Sequence, residues 1–457
     1  MRRHYLRSAL LFIVMVLGAL ALAAGVALTS GPDKAAANGQ SSPFAGVKNV
    51  ILFIGDGMGP NHLEVGRELS GGSLMMDDID WGGTGRLDTS SLDGITDSAA
   101  AATALATGRE TWNDWVSRGP DYPEDPDYPT IDFDTALEIA EGRGKATGLI
   151  TDLELSDATP AAFAAHADSR DNADEITLEM AAQDIEALFS GGWSESSLLF
   201  GSANPLPAAT KITSLKQLKP YLDSGVWPEK MYGIFGKSVL AYTIDREEEG
   251  VLRKQPTLPQ LTEAAIGILE QGPQGFFVMI EAGSNDWGGH ARDAAWVGAE
   301  IKELDAAVMT AYRWAKVRDD TLILITGDHE TGGLMIDRST DYPAIAKQKA
   351  STEWMWGLIK RLGKSKVAWV LKNYAGIQVS GAEVNLIWNN KEMGISDVLA
   401  DHFNVDWGWS GTDEGDHTDI EVPVMAWGPG DEAFDVSSWP TNDNENFGQL
   451  LLDAVSH

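Results

Sequence analysis

The chain has 457 residues, with 68 acids against 34 bases and a net charge of −34, so nucleic acid and anionic membrane surfaces are excluded as partners by repulsion. It contains no cysteine, which excludes disulfides and thiolate metal ligands and leaves only His, Asp, Glu or hydroxyl oxygen to hold a metal. Its length and 43% hydrophobic content suffice for a large core.

Arg2, Arg3 and Arg7 precede an apolar run over 9–28, with Ala21-Leu22-Ala23 and Ala35-Ala36-Ala37 as candidate cleavage signals. This pattern predicts export, to the periplasm or the exterior, through a signal peptide within 1–37. The run is also long enough to serve as an uncleaved N-terminal membrane anchor. Residues 38–47 read as a linker, and 48–457 as one domain. An apolar strand over 50–54 ends in Gly55-Asp56. Asp97-Ser98 opens an alanine-rich helix that Gly108 stops. Residues 122–129 (YPEDPDYP) are irregular, 134–142 read as a helix and 146–151 as a strand. In Asp157-Ala158-Thr159-Pro160, Thr159 reads as an N-cap with Pro160 at the first helical position. Arg170 lies eleven residues beyond Thr159 and can share a site with it only if the helix between them ends early.

A helix over 261–270 leads into a strand over 276–280 that delivers Glu281, followed by Asp286-Trp287-Gly288-Gly289-His290. The four-residue spacing of Asp286 and His290 fits one helix face, but the two glycines argue for a tight loop. A long amphipathic helix over 294–315 leads into a strand over 321–326 that ends in Gly327-Asp328-His329. Residues 335–405 break this rhythm and read as an insertion; a turn-rich loop at 411–417 with His417 and a strand over 421–427 close the chain. The alternation of strands and helices argues for an α/β fold, in which ligands sit at the C-terminal ends of the strands.

The chemistry concentrates at those ends. An acid and an imidazole side by side near a core are costly unless something binds them, and a metal ion is the usual solution. His290, His329 and His417 all fall in acid- and glycine-rich segments beside strands, whereas His166, in an alanine-rich helix, reads as structural. Ser98 at a helix N-terminus is explained by capping alone. As a nucleophile it would profit from the dipole, which favours an alkoxide or a bound phosphate. No histidine neighbours it in sequence, so a metal would have to activate it.

Taken together, 49–59 (NVILFIGDGMG), 96–108 (TDSAAAATALATG), 155–170 (LSDATPAAFAAHADSR), 279–290 (MIEAGSNDWGGH), 326–333 (TGDHETGG) and 415–418 (GDHT) resemble the alkaline phosphatase family, in the family's order. The resemblance implies a central, mostly parallel sheet flanked by helices on both faces, with a crown-type insertion at about 335–405. It implies hydrolysis of small phosphomonoesters through a phosphoserine at Ser98, with two Zn2+ and one Mg2+. Asp286, His290 and His417 would hold the first zinc; Asp56, Asp328 and His329 the second; Asp56, Thr159 and Glu281 the magnesium, with Asp157 behind it. Arg170 would clamp the phosphate. Such insertions often form the family's dimer contact, so a homodimer is expected. Trp287 stands where family members variously carry Lys, His or Trp. The superfamily's diesterases commonly use a threonine nucleophile and lack the third metal, and its sulfatases need a modified Cys or Ser in another motif, so the Thr159 and Glu281 pair argues against both. A non-catalytic binding module is the remaining alternative.

Overall fold

The computed structural model describes residues 42–121, 129–192, 209–408 and 417–457. The segment 1–37, the start of the linker, most of 122–129 and the turn-rich loop before His417 lie outside them. Among the described residues no helix is long and apolar enough to cross a membrane. The packed chain begins before residue 48. Phe44 and Val47, within the expected linker, are buried, and the Phe44 ring stands 5.9 Å from that of Phe434. An aromatic ring in a polar segment finds its burial partner there.

Nine strands form one sheet, in the order Gly83–Leu87, Val422–Trp427, Thr321–Gly327, Asn49–Gly55, Phe276–Ala282, Ala146–Thr151, Ala187–Ser190, Met231–Ile234 and Thr210–Ile212. Val422–Trp427 runs antiparallel to both neighbours, and every other pairing is parallel. The expected mostly parallel α/β sheet is therefore observed. The central strands are apolar without alternation because both faces are covered. Ile51 and Phe53 face a core shared with the helices Pro60–Leu69, Leu258–Leu269 and Ala294–Ala315. Val50, Leu52 and Ile54 face one shared with Ser98–Thr107, Ala136–Gly142, Ala158–Ala164 and Asn444–Val455.

Register positions the chemistry. Gly55 is level with Gly327 on one side, and Ile54 is level with Glu281 on the other. Thr151 is in turn level with Glu281. Asp56 and Asp328 therefore leave adjacent strands at the same height, and Glu281, inside the strand on the other side of Asn49–Gly55, stands two residues before that level.

The stretch 335–405, where the strand and helix rhythm breaks, is largely helical. Its neck is a two-residue antiparallel ladder, Leu334↔Trp407 and Met335↔Asp406. Its main helices are Thr352–Leu362 and Gly381–Phe403, the second interrupted at Lys391, where φ is 61°. Asp293 anchors it by accepting from Thr352 N–H at 2.9 Å and from the Gln348 amide at 2.8 Å, and Arg292 pairs with Asp397 at 2.8 Å.

Candidate active site

Ser98 is the first residue of its helix, not the cap. Asp97 is the N-cap, accepting from Ala100 N–H at 2.9 Å. The Ser98 hydroxyl, on a residue 3% exposed, is thus spared for other partners and stands 3.1 Å from His329 Nε2. This imidazole lies 231 residues away in sequence, which local reading could not anticipate. The same Nε2 is 3.4 Å from Asp56 Oδ1 and 3.4 Å from Asp328 Oδ2. Two carboxylate oxygens and a ring nitrogen, all electron-pair donors, facing one another around a hydroxyl suit a cation better than a lone serine–histidine hydrogen bond.

The surrounding groups leave one donor atom of several side chains free. Asp328 Oδ1 accepts from Gly57 N–H at 3.0 Å and from His329 N–H at 2.8 Å, while Oδ2 is buried without a hydrogen-bond partner. Thr331 donates to Asp286 Oδ1 and stands 3.2 Å from His329 Nδ1. Its hydroxyl proton is engaged, so it accepts from Nδ1–H and turns the Nε2 lone pair inward. His417 Nδ1 donates to Thr96 O at 2.8 Å, which frees its Nε2 in the same way. Gly57 has φ 67°, and a Cβ there would lie 2.7 Å from Thr331 Oγ1 and 2.8 Å from Asp286 Cα, so only glycine fits.

Among the described residues, two groups have ligand atoms close enough to share an ion: Asp56, Asp328 and His329, the trio the resemblance gives to the second zinc, and Asp286, His329 and His417. His290, expected with Asp286 and His417, lies beside them: its Nε2 is 3.2 Å from Asp286 Oδ2 and its ring 5.3 Å from that of His417. His329 takes its place in the tighter group because its ring stacks on His417 at 3.6 Å.

Asp286 and His290 belong to a helix, Ser284–His290, rather than to a tight loop. The glycines serve close packing. A Cβ at Gly288 would lie 3.1 Å from Val297 N, and one at Gly289 would lie 2.8 Å from Thr331 O. Trp287 is half-buried, its ring 6.0 Å from that of Tyr242.

Thr159 Oγ1 and both Glu281 oxygens are buried and lack a well-formed hydrogen bond. Orphaned oxygens of this kind suit a hard cation. Asp157, not Thr159, is the N-cap of Ala158–Ala164, accepting from Ala158 N–H at 2.7 Å. That helix ends at Ala164, so His166 lies outside it. His166 stands 2.7 Å from Glu179 and 2.9 Å from Phe133 O, the structural role expected of it. The early stop lets Ala167 pair with Val116 and Arg170 N–H bond to Asp114 O at 2.7 Å. The Arg170 guanidinium then reaches back to Asp97 at 3.4 Å and Asp157 at 3.3 Å, beside the Ser98 helix. Asp97, Thr96 and Thr331 are the residues local reading missed. None carries a signal beyond its place beside Ser98 or His329.

Burial, and then Asp328 and Asp286, raises the Asp56 carboxyl well above its usual value. Burial, and then Asp157, does the same to Glu281 against a Thr151 hydrogen bond. Burial pushes Asp328 up to about 7 despite the Gly57 N–H. Burial also opposes ionisation of Asp286, but His290, His417 and His329 outweigh it and hold that carboxyl well below the usual range. Burial, and then His417, keeps the His329 imidazole well below its usual value. Without metal, the folded state therefore binds more protons than the unfolded chain between about pH 4 and 7, and its stability falls as pH rises. Asp286 works in the opposite sense at lower pH, and His329, kept neutral where the unfolded chain's imidazole is charged, offsets part of the trend below about pH 6.5, but three raised carboxyls outnumber it. In chelator the melting temperature is expected to drop by roughly 5 °C from pH 5 to pH 8, a trend that bound metal removes. Thermal melts across that range, with and without metal, test this; a chelated protein that gains stability with pH would contradict it.

The family model for alkaline phosphatase matches residues 47–190 and 213–449. The chain is 32% identical over 430 residues to alkaline phosphatase 4 of Bacillus subtilis (strain 168), covering 88% of each chain. Among solved structures it resembles a cold-active alkaline phosphatase from a psychrophilic Shewanella species, with TM-score 0.76 and 26% identity over 89% of this chain and 99% of that one. It also shares the fold of Thermus thermophilus alkaline phosphatase, with TM-score 0.78 and 20% identity over 94% of this chain and 95% of that one.

Proposed function

The chain belongs to the alkaline phosphatase family and is a metal-dependent hydrolase of phosphate monoesters, and from that premise we propose that Ser98 is its nucleophile, in a centre of two zinc ions and one magnesium. The observation that carries this is the convergence of Asp56, Asp328 and His329 on the Ser98 hydroxyl.

The donor chemistry supports the metals. Asp56, Asp328 and His329 form a nitrogen and carboxylate set suited to zinc, and Asp286 and His417, with His290 beside them, form another. Asp56, Thr159 and Glu281 offer only oxygen, which suits magnesium. When bound, the ions supply Lewis acidity that lowers the pKa of the serine hydroxyl and of water and neutralises the leaving oxygen. Ser98 Oγ, ionised at its helix N-terminus, would attack phosphorus in line; the P–O bond to the alcohol breaks, and the alcohol leaves after gaining a proton. Water would then attack the phosphoserine, releasing inorganic phosphate and restoring Ser98. Arg170 would grip two phosphate oxygens, its guanidinium pre-set by Asp97 and Asp157.

Arg170→Ala is expected to lower kcat/KM for p-nitrophenyl phosphate by about 10²–10³-fold and to weaken inhibition by phosphate. Arg170→Lys recovers only part of this, because an ammonium cannot bond bidentately. Steady-state kinetics of the three proteins check both statements.

The basic and apolar pattern of 1–37 supports export as part of this reading. The whole is tested with the purified chain loaded with zinc and magnesium. p-Nitrophenyl phosphate should turn over at alkaline pH, stop in chelator, and outpace bis(p-nitrophenyl) phosphate by about 100-fold or more in kcat/KM. A faster diester would assign the chain to diester hydrolysis instead.

A further inference from the structure

Beside His290 lies a cavity of about 350 Å³ that phosphate chemistry does not use. Trp287, His290 and Ala291, spaced as one helix face, line it with Trp296 and the carboxylates Glu353 and Glu392 of the insertion. Tyr242 backs this wall, its ring 4.0 Å from that of Trp296 and 6.0 Å from that of Trp287. Its hydroxyl donates to Glu353 Oε2 at 2.9 Å, which holds that carboxylate beside the aromatic rings. Trp296 is 1% exposed, and its indole N–H has no hydrogen-bond partner.

Two indole rings and two carboxylates line the pocket, with Tyr242 packed behind them, and together they make a surface for a cation of low charge density. Aromatic rings attract it through their quadrupole and the acids through Coulomb energy, whereas a strongly hydrated metal ion gains little from indole rings. Arg292 reaches Met393, which also lines the pocket, but its charge is paired with Asp397 at 2.8 Å. Burial, then Glu353 and Asp293, pushes the Glu392 carboxyl up to about 7, and Lys360 offsets this only in part. At alkaline pH this carboxylate is ionised, and a neutral occupant would leave its repulsion with Glu353 unrelieved.

We propose that this pocket receives the leaving group of the substrate and selects organic ammonium groups, so that the preferred substrates are phosphate monoesters of amino alcohols. The assignment rests on the phosphatase reading above, since His290 joins the pocket to the proposed metal ligands. The insertion, through Glu353 and Glu392, thereby becomes the element that sets specificity.

The test compares phosphocholine with 3,3-dimethylbutyl phosphate, its uncharged carbon isostere, on the metal-loaded enzyme, with p-nitrophenyl phosphate as reference. Phosphocholine should show about tenfold higher kcat/KM than the isostere, and Glu392→Gln or Glu353→Gln should bring the ratio towards one. Independently, choline should quench tryptophan fluorescence saturably, and 3,3-dimethylbutanol should not. Equal kcat/KM for the two esters in the unaltered enzyme, or a preference that both variants retain, overturns the proposal while p-nitrophenyl phosphate turnover leaves the phosphatase reading intact. If no monoester is hydrolysed, the phosphatase reading has failed instead, and saturable choline binding alone would recast the pocket as an ammonium site unconnected with catalysis.

Discussion

Ser98→Ala is expected to lower turnover of p-nitrophenyl phosphate at alkaline pH by at least ~10³-fold while leaving metal content and melting temperature nearly unchanged. The Ser98 hydroxyl caps nothing, because Asp97 already accepts from Ala100 N–H. Its only hydrogen bond among the described residues is to His329 Nε2. Alanine at the first turn of an alanine-rich helix costs no propensity. A loss of activity with intact folding would separate the chemical role of the hydroxyl from a structural one. Metal analysis, thermal melts and steady-state rates on one preparation supply the three readouts. Comparable activity in the variant would mean that water attacks the ester directly.

Asp328→Asn should remove about one zinc per chain and reduce kcat/KM by roughly 10³-fold, more than any single change in the groups that orient it. Two backbone N–H groups fix Oδ1, so the substitution alters mainly the charge and basicity of Oδ2, which faces His329 Nε2. Thr331→Ala, which frees Asp286 and the His329 ring to turn, should lose only about 10–100-fold in metal affinity. The check is zinc quantification after dialysis, alongside rates at saturating zinc. If Asp328→Asn keeps its full zinc content, that side chain is not a ligand.

Much of the architecture was legible because the central strands are buried on both faces and read as uninterrupted apolar runs. Their register was not legible. That Asp56 leaves its strand beside Asp328, and two residues beyond the level of Glu281, depends on pairing between segments more than 200 residues apart. Ser98 and His329 were each conspicuous, but their 3.1 Å contact is a product of that pairing. Ala187–Ser190, Met231–Ile234 and Thr210–Ile212 were too short to stand out as strands.

The misread segments share a cause. Gly288 and Gly289 suggested a turn, but their missing side chains admit Val297 and Thr331 to a helix surface. Thr159 resembled a cap, but Asp157 takes that role, which leaves the threonine hydroxyl buried and unbonded. In each case a small or polar residue answered to a neighbour distant in sequence rather than to its own segment. The stretch 335–405 stood out in sequence through its composition. Its helices, and the wall it builds beside His290, emerged only from packing.

The most direct test of the account is to quench the zinc- and magnesium-loaded enzyme with acid during turnover of radiolabelled monoester and map the label. Covalent phosphate is expected on the peptide carrying Ser98, approaching one per chain where hydrolysis of that bond is slow, and none in Ser98→Ala. Full hydrolytic activity with no label on that peptide, or label on another residue, would contradict it.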